Sequence, residues 1–431
     1  MMPPLLSYYG DDLTGSTDVM EALETRGVPT VLFTGIPDDA LLARFAHVEA
    51  IGIAGTSRSE TPDWMDAHLP AVFRWLKETG AALTHYKVCS TFDSSPTVGS
   101  IGRALDIGAE LFGQSSTPLV VGAPELKRWT AFAHLFAGFR GENFRIDRHP
   151  VMSRHPVTPM AESDLRVHLG AQTEKPVGLI DLVALKAGIT AEDAEAVFST
   201  FPVVLLDVLD ADTQERVGDL LWQRRARSPF VVGSSGVEYA LVAKGAATPL
   251  SGRTRRFDNP GSRGPIAVVS GSCSPTTERQ IRHATENGFE GIALDVAALL
   301  GEEREHEIAR VVEAGSAALS AGRSPLIYSA LGGETAEGAG GGRRIGRALG
   351  LVLQQLVSRH GLARAVVAGG DTSSHAIAEL GIGALECLLP LPRSPGSPLC
   401  LAHRADGSRL EVAFKGGQVG GDDYFSLVRD S

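Results

Sequence analysis

The chain has 431 residues, which at roughly 150 residues per domain predicts two or three domains. A hydrophobic fraction of 43% and a charged fraction of 21% are typical of a globular protein that buries full cores. A formal net charge of −11, with no Lys/Arg-rich run, disfavours partners such as nucleic acid or a membrane surface. The four cysteines lack the spacing of a zinc site or a disulfide framework, and no signal peptide or apolar span is visible. These features predict a cytoplasmic protein.

Short apolar runs alternate with helical periodicity along the chain, which predicts an α/β fold. Unbroken apolar runs favour strands covered on both faces, and hence mostly parallel sheets flanked by helices. The predicted strands are 5–9, 30–33, 50–54, 82–88, 118–121, 202–208, 230–232, 265–269, 291–295, 325–328, 365–368 and 410–414. The predicted helices include 16–26, 64–78, 191–200, 276–286, 307–321 and 343–359.

The composition changes at residue 244, where small and polar residues, Pro and Gly become frequent. This change predicts an N-terminal domain of 1–245, a linker of 246–264 and a C-terminal domain of 265–431. A cleft between two α/β domains is a common place for a ligand, so we expect the active site there. A second polar, glycine-rich stretch at 332–344 is predicted to be a mobile loop within the C-terminal domain.

Charged and polar side chains follow several predicted strands of the N-terminal domain, where ligands of parallel sheets collect. Asp11, Asp12 and Thr14 follow the first strand. The two carboxylates either orient a hydroxyl, bind Mg²⁺ or act as a base, or they only cap the next helix. Arg58 follows the third strand, and it either holds a carboxylate or is an ordinary solvated arginine.

Two further segments carry clustered polar groups. The segment 87–96 includes Lys87, Ser90 and Asp93, a donor density that suits a polyhydroxylated, anionic small molecule, although a plain Ser/Thr-rich loop is the alternative. The segment 148–160 holds Arg154 and His155 in a loop stiffened by three prolines. That loop either grips a carboxylate or only separates two elements, and its spacing fits no known metal site.

Three glycine-rich turns follow predicted strands of the C-terminal domain. They comprise Ser270, Gly271 and Ser272; Gly369, Gly370, Asp371 and Thr372; and Gly416 with Gly417. Glycine lets the backbone approach a phosphate, and a helix N-terminus adds oriented N–H donors. None of the three turns matches the P-loop or the dinucleotide fingerprint. One such turn is weak evidence, but three in one domain predict a nucleotide phosphate site.

Six segments, in order along nearly the whole chain, resemble the four-carbon acid sugar kinase family. They are GDDLTGSTD (10–18), KVCSTFDSSP (87–96), HPVTPM (155–160), VSGSCSPTT (269–277), AGGDTS (368–373) and KGGQVGGDD (415–423). The resemblance implies an N-terminal substrate domain and a C-terminal nucleotide domain, both α/β. It also implies transfer of the γ-phosphate of ATP, with Mg²⁺, to the terminal hydroxyl of an acid sugar such as threonate, erythronate or 3-oxo-tetronate.

The resemblance implies residue roles as well. Asp11 or Asp12 would be the catalytic base. The sugar acid would contact Thr14, Arg58, Lys87, Ser90, Asp93, Arg154 and His155. The ATP would contact Ser270, Gly271, Ser272, Gly369, Gly370, Asp371, Thr372, Gly416 and Gly417, with Mg²⁺ near Asp371.

Two departures from the family pattern predict a divergent subgroup. The last motif reads Lys-Gly-Gly-Gln-Val-Gly at 415–420, where the family usually has Lys-Ser-Gly-Asn-Phe-Gly. The stretch 121–144 lacks the Gly-Arg dipeptide common in members that act on 3-oxo-tetronate. A branched acid such as 3-oxo-isoapionate is therefore an alternative substrate. A ligand-binding regulator without catalysis and a nucleotide-independent synthase or isomerase also stay open, as does the oligomeric state, a homodimer included.

Overall fold

The computed structural model describes residues 3–331 and 341–431, except for the side chain of Asp371. Most of the glycine-rich stretch 332–344, predicted to be a loop, therefore lies outside the described residues. Contacts divide the chain into two units. The N-terminal unit comprises Met1–Asp11, Ala22–Thr30 and Asp38–Arg255, and the C-terminal unit comprises Asp12–Glu21, Val31–Pro37 and Arg256–Ser431.

The main sheet of the N-terminal unit is parallel. In sheet order its strands are β3 (Ala50–Ala54), β1 (Leu6–Gly10), β4 (Leu83–Lys87), β11 (Phe230–Gly233), β5 (Thr117–Val120), β10 (Val203–Leu206) and β9 (Val177–Ile180). Strands such as β10 are buried along their whole length, because helices cover the sheet. The predicted α/β class and mostly parallel sheet are confirmed.

Helices of the N-terminal unit, apart from the last, begin at side chains that cap their first turn. They are α2 (Asp39–Ala43), α3 (Pro62–Glu78), α4 (Ile101–Phe112), α5 (Leu165–Gly170), α6 (Leu182–Ala187), α7 (Ala191–Thr200), α8 (Ala211–Arg224) and α9 (Gly236–Leu241). Thr61 accepts the Trp64 N–H at 3.3 Å and Pro62 opens α3, as expected of a helix N-terminus. The buried face of α3 contributes Phe73 to an aromatic core, where its ring centroid lies 5.3 Å from that of Phe230.

A small antiparallel sheet, which the sequence pattern does not predict, follows β5 in the chain. Its strands are β6 (Arg128–Ala131), β7 (His134–Phe139) and β8 (Glu142–Arg145). The turn between β6 and β7 places Phe132 and Ala133 at φ values of 53° and 69°. Because neither residue is Gly, Asn or Asp, the sequence gives no turn signal at that point.

The sheet of the C-terminal unit is parallel on one side and antiparallel on the other. In sheet order its strands are β13 (Phe289–Ala293), β14 (Ser324–Tyr328), β12 (Ala267–Ser270), β15 (Arg364–Ala368), β18 (Arg409–Lys415), β17 (Leu399–Arg404), β16 (Ile382–Leu389) and β2 (Thr30–Phe33). Strands β16 and β17 are absent from the predicted set, because a short apolar run bounded by loop residues fits a strand or a buried helix equally well.

Helices of the C-terminal unit carry the turns of interest at their N-termini. They are most of α1 (Leu13–Glu24), then α10 (Pro275–Glu286), α11 (Val296–Leu300), α12 (Arg304–Ser320), α13 (Gly341–His360), α14 (Gly370–Glu379) and α15 (Tyr424–Asp430). The core of this unit packs Ile281, Tyr424 and Phe425 against the central strands. Among the described residues, no helix is both long enough and apolar enough to cross a membrane.

Candidate active site

Asp11 connects the ends of two strands of the N-terminal unit. Its N–H donates to the carbonyl of Lys87 at 2.9 Å, and its own carbonyl accepts the Arg58 N–H at 3.1 Å. The Asp11 side chain is buried, and its charge acts on a neighbouring phenol. Burial, and after it the charge of Asp11, raises the pKa of Tyr86 well above its ordinary value. The predicted residues Asp11, Arg58 and Lys87 are therefore brought together by backbone contacts.

Asp12 belongs to the C-terminal unit and caps α1, as one of the alternatives for this pair requires. Its Oδ1 accepts the Gly15 N–H at 2.6 Å, and its Oδ2 accepts the Thr14 hydroxyl at 3.2 Å. The same two side chains also border a glycine turn: a methyl group at Gly370 would lie 3.9 Å from Asp12 Oδ2 and 3.8 Å from Thr14 Oγ1. A carboxylate can accept about four hydrogen bonds. The capping bonds therefore do not use the full acceptor capacity of Asp12.

Asp93 is the centre of a polar cluster in the N-terminal unit. Arg58 Nη2 donates to its two oxygens at 3.1 and 3.0 Å. The hydroxyls of Thr91 and Thr158 donate to Oδ1 and Oδ2 at 2.5 and 3.0 Å. Burial would raise the pKa of Asp93, but the Arg58 charge, these hydroxyls and the charge of His155 lower it well below its ordinary value. Asp93 is therefore an ionised carboxylate whose charge Arg58 balances.

Of the other predicted sugar-acid residues, one lies beside the Asp93 cluster and another has no contact with it. His155 lies beside the cluster, with Nδ1 3.1 Å from Thr158 Oγ1. Lys87 is buried at the end of β4, and Ser90 is half-buried two residues after Val88. Arg154 is exposed, and no contact within the described part of the chain joins it to Asp93.

The first two glycine turns of the C-terminal unit are packed against each other. The Gly271 N–H donates to the carbonyl of Ala368 at 3.0 Å, and the Gly369 N–H donates to that of Lys415 at 2.7 Å. A methyl group at Gly271 would lie 2.2 Å from Thr372 Oγ1, and one at Gly369 would lie 2.8 Å from the same atom. Gly369 also has φ +116°, a conformation open to glycine. Gly369 therefore requires glycine, and a side chain at Gly271 would force Thr372 to move.

The third turn is held against the N-terminus of α10. The carbonyl of Gly417 accepts the Ser274 hydroxyl and lies 3.1 Å from Thr277 Oγ1. Thr277 Oγ1 is in turn 3.0 Å from Ser272 Oγ, so the first and third turns share a hydroxyl network. The structure therefore brings together the three turns that the sequence places far apart.

Lys415 is a residue of this network that the predicted set omits, although it opens the last motif. Its buried Nζ donates to the carbonyl of Gly416 at 2.8 Å and to Thr277 Oγ1 at 3.1 Å. Burial lowers the pKa of Lys415 to about 7. No carboxylate among the described side chains, which exclude that of Asp371, forms an ion pair with it. A lysine that ends a strand before a Gly-Gly pair is the signal that could have indicated it.

These turns fit the phosphates of a nucleotide. Ser270 Oγ is buried and has no hydrogen-bond partner among the described residues, so a ligand atom could supply one. The N-termini of α10 and α14 point backbone N–H groups out of the turns, and such groups favour anions. The side chain of Asp371, predicted to lie near Mg²⁺, is outside the described residues.

Comparisons with known proteins also distinguish an N-terminal from a C-terminal domain. A family model described as a sugar-binding N-terminal domain matches residues 6–241, and one described as a nucleotide-binding C-terminal domain matches residues 267–425. A crystal structure of a protein from Salmonella typhimurium LT2 has a TM-score of 0.75 and 26% sequence identity, covering 98% of both chains.

Curated relatives span the same length as this chain. It is 46% identical to a 3-oxo-isoapionate kinase from Paraburkholderia graminis, over 99% of this chain and 94% of that protein. It is 31% identical to a 3-oxo-tetronate kinase from Cupriavidus necator, over 98% of this chain and 96% of that protein. The family that the six sequence motifs predict is thus confirmed, and the chain belongs to the four-carbon acid sugar kinases.

Proposed function

We propose that this protein is an ATP-dependent kinase whose substrate is the branched sugar acid 3-oxo-isoapionate, phosphorylated on a terminal hydroxyl. The observation that carries the proposal is the 46% identity to a 3-oxo-isoapionate kinase, compared with 31% to a 3-oxo-tetronate kinase. The departures from the usual family motifs at 415–420 and 121–144 support a substrate other than 3-oxo-tetronate.

The three glycine turns of the C-terminal unit are our candidate for the ATP site. Backbone N–H groups of the three turns, other than those of Gly271 and Gly369 that already bind carbonyls, would bind phosphate oxygens. Ser270 Oγ would gain the partner that it lacks among the described residues. Lys415 holds the third turn from beneath through its bond to the carbonyl of Gly416. Mg²⁺ bound to the phosphates would neutralise part of their charge.

In phosphoryl transfer the protein mainly positions the substrate hydroxyl and the γ-phosphate and accepts a proton. The substrate hydroxyl oxygen forms a bond to the γ-phosphorus, the bond from that phosphorus to the bridging oxygen breaks, and ADP leaves. We assign the released proton to Asp12, because Asp12 Oδ2 borders the Gly370 turn. Asp11 belongs instead to the N-terminal unit, where burial and then the charge of Asp11 raise the pKa of Tyr86. Hydroxyls of the acid would bind at Asp93 and its threonines.

The base assignment predicts unequal effects of two matched substitutions. Asp12→Asn removes the proton acceptor but keeps an oxygen for the Gly15 N–H, so we expect kcat to fall by about 10²–10⁴ while the fold persists. Asp11→Asn should cost much less. Both variants are assayed for ADP release at saturating ATP, with circular dichroism as the control for folding. A kcat of Asp12→Asn equal to that of the wild type would show that Asp12 is not the base.

Direct detection of the product tests the function itself. We expect incubation with Mg-ATP and 3-oxo-isoapionate to give ADP and one phosphate ester of the acid in equal amounts, seen by mass spectrometry and ³¹P NMR. ATP binding without an ester on this acid or on 3-oxo-tetronate would indicate a regulator. A melting temperature that ATP leaves unchanged would contradict any nucleotide-dependent activity.

A further inference from the structure

Arg128, at the start of β6, has a donor that nothing in the described structure uses. Its Nη1 donates to the carbonyls of Leu126 and Lys127 at 3.1 and 3.0 Å, which fixes the guanidinium. Its Nε is buried and has no hydrogen-bond partner in residues 3–331 and 341–431. No carboxylate among those residues pairs with it either. Arg128 is thus a held cation with an unused N–H.

His149 presents a second unused donor. Its ring is only 4% exposed and lies between the rings of Phe139 and Phe144, with centroid distances of 5.2 and 6.0 Å. Its Nδ1 accepts the N–H groups of Val151 and Met152, both at 3.2 Å. Because Nδ1 is the acceptor, the neutral ring carries its hydrogen on Nε2. That Nε2 is buried and lacks a partner among the described residues.

The two donors lie on neighbouring segments of the same unit. Arg128 lies opposite Ala137 of β7, and Phe139, two residues further along that strand, has its ring 5.2 Å from the His149 ring. Met152, which donates to His149, accepts the Met160 N–H at 2.9 Å, two residues from the Thr158 that donates to Asp93. Burial, and after it the charge of Arg128, lowers the pKa of His149, which keeps the ring neutral. A buried donor without a partner costs about 1–3 kcal/mol, so two of them together indicate a place that a ligand completes.

Arg58, one of the cations expected to bind the substrate carboxylate, is already engaged. Arg58 Nη2 donates to both oxygens of Asp93, at 3.1 and 3.0 Å. Asp93 therefore balances the charge of Arg58, while Arg128 has no such partner in the described part of the chain. Arg128 is therefore a cation of this unit whose charge no carboxylate among the described residues balances.

We propose that Arg128 and His149 bind the carboxylate group of the sugar acid, through the Nε–H of Arg128 and the Nε2–H of His149. The charged N–H of a guanidinium is a strong donor to a carboxylate oxygen, and the neutral imidazole adds a second donor. Arg58 and Asp93, with Thr91 and Thr158, are then left to bind hydroxyl groups. The identity of the acid as substrate rests on the proposed function, but the carboxylate site does not.

Binding measured without turnover tests this site. Isothermal titration of the full chain compares threonate, erythronate and 3-oxo-isoapionate with threitol, which has hydroxyls but no carboxylate. We expect Arg128→Gln to weaken binding of the acids by on the order of tenfold to a hundredfold and to leave threitol binding unchanged. Arg140→Gln, on the exposed turn between β7 and β8, is the matched control and should bind the acids like the wild type.

Two histidine variants separate the donor from its support. His149→Asn keeps an acceptor near the Nδ1 position and removes the Nε2–H, so binding of the acids should weaken. His149→Gln keeps a donor near the Nε2 position and should retain more affinity. Arg128→Lys, which keeps the charge but not the fork, should fall between Arg128→Gln and the wild type and serves if Arg128→Gln does not fold.

The outcomes distinguish this site from the kinase proposal. Equal affinity of the wild type and the folded Arg128 variants for all three acids would overturn the carboxylate site and leave the kinase untouched. Binding of none of the acids by the wild type would overturn it as well. Loss of acid binding in Arg128→Gln without any phosphate ester from the wild type would support the site and refute the kinase.

Discussion

Glu21 shows how one buried side chain couples protonation to stability. Its Oε2 accepts the Gly396 N–H at 2.5 Å within the C-terminal unit. Burial raises the pKa of Glu21 to about 8, the charge of Asp18 adds to the rise, and the Gly396 N–H opposes it. The unfolded chain releases the same proton near a pH of about 4.3. Folding therefore takes up a proton between these two values.

This proton uptake predicts a pH dependence. The free energy of unfolding of the wild type should lose the Glu21 contribution as the pH rises from about 4.3 to 8, because the folded state binds the extra proton. Glu21→Gln cannot ionise and keeps an oxygen for the Gly396 N–H. We expect the variant to gain stability relative to the wild type, on the order of a few kcal/mol, between pH 5 and pH 8. The free energy of unfolding is measured by urea denaturation at each pH. A difference between the wild type and Glu21→Gln that does not change with pH would contradict the assignment.

At the residue scale, sequence predicts which side chains lie at strand ends but not which of them meet. The Arg58–Asp93 pair joins residues 35 positions apart, and the bond from Thr158 to Asp93 spans 65. Such contacts depend on tertiary packing, which a local motif does not contain. His149 lies in the segment 148–160, which the sequence predicts either to grip a carboxylate or only to separate two elements. The unused Nε2 of His149 becomes visible only in the folded structure.

Gly271, in the turn between β12 and α10, leaves no room for a side chain as the turn stands, and this predicts the effect of one methyl group. Gly271→Ala would place a Cβ 2.2 Å from Thr372 Oγ1, so one of the first two glycine turns must move. We expect a loss of about 1–3 kcal/mol in stability and a clear loss of ATP affinity, measured by titration calorimetry. Gly35→Ala is the control in the same unit, because nothing lies within 4 Å of the added methyl. Unchanged ATP affinity in Gly271→Ala would remove this turn from the nucleotide site.

Element boundaries follow from caps and periodicity where both are present. The predicted helix 191–200 coincides with α7, which Thr190 caps by accepting the Asp193 N–H at 3.1 Å. The predicted helix 16–26 begins instead at Leu13, because Asp12 caps it. Lys127, with φ +57°, precedes Arg128 in the backbone conformation that glycine favours. Lys127 and Arg128 therefore have a backbone conformation that the Gly-Arg dipeptide of other family members would adopt without strain. The sequence alone does not indicate this conformation at Lys127.

At the scale of the whole molecule, the predicted domains are continuous in sequence, whereas the two contact units are not. The sequence pattern predicts a division at 246–264, and the two family models end and begin at 241 and 267. By contacts, Asp12–Glu21 and Val31–Pro37 join the C-terminal unit, although they lie near the start of the chain. In that unit β2 pairs with β16 through Leu32 and Phe33. Such long-range pairing leaves no trace in local composition.

The central claim is that the chain is a sugar-acid kinase that favours the branched acid. Release of ADP is measured in a coupled assay with Mg-ATP over 3-oxo-isoapionate, 3-oxo-tetronate and both enantiomers of threonate and erythronate. We predict turnover on 3-oxo-isoapionate with the highest kcat/KM of the set. Turnover on 3-oxo-tetronate alone would keep the kinase and correct its substrate. No turnover on any acid, together with a melting temperature that ATP does not raise, would contradict the account.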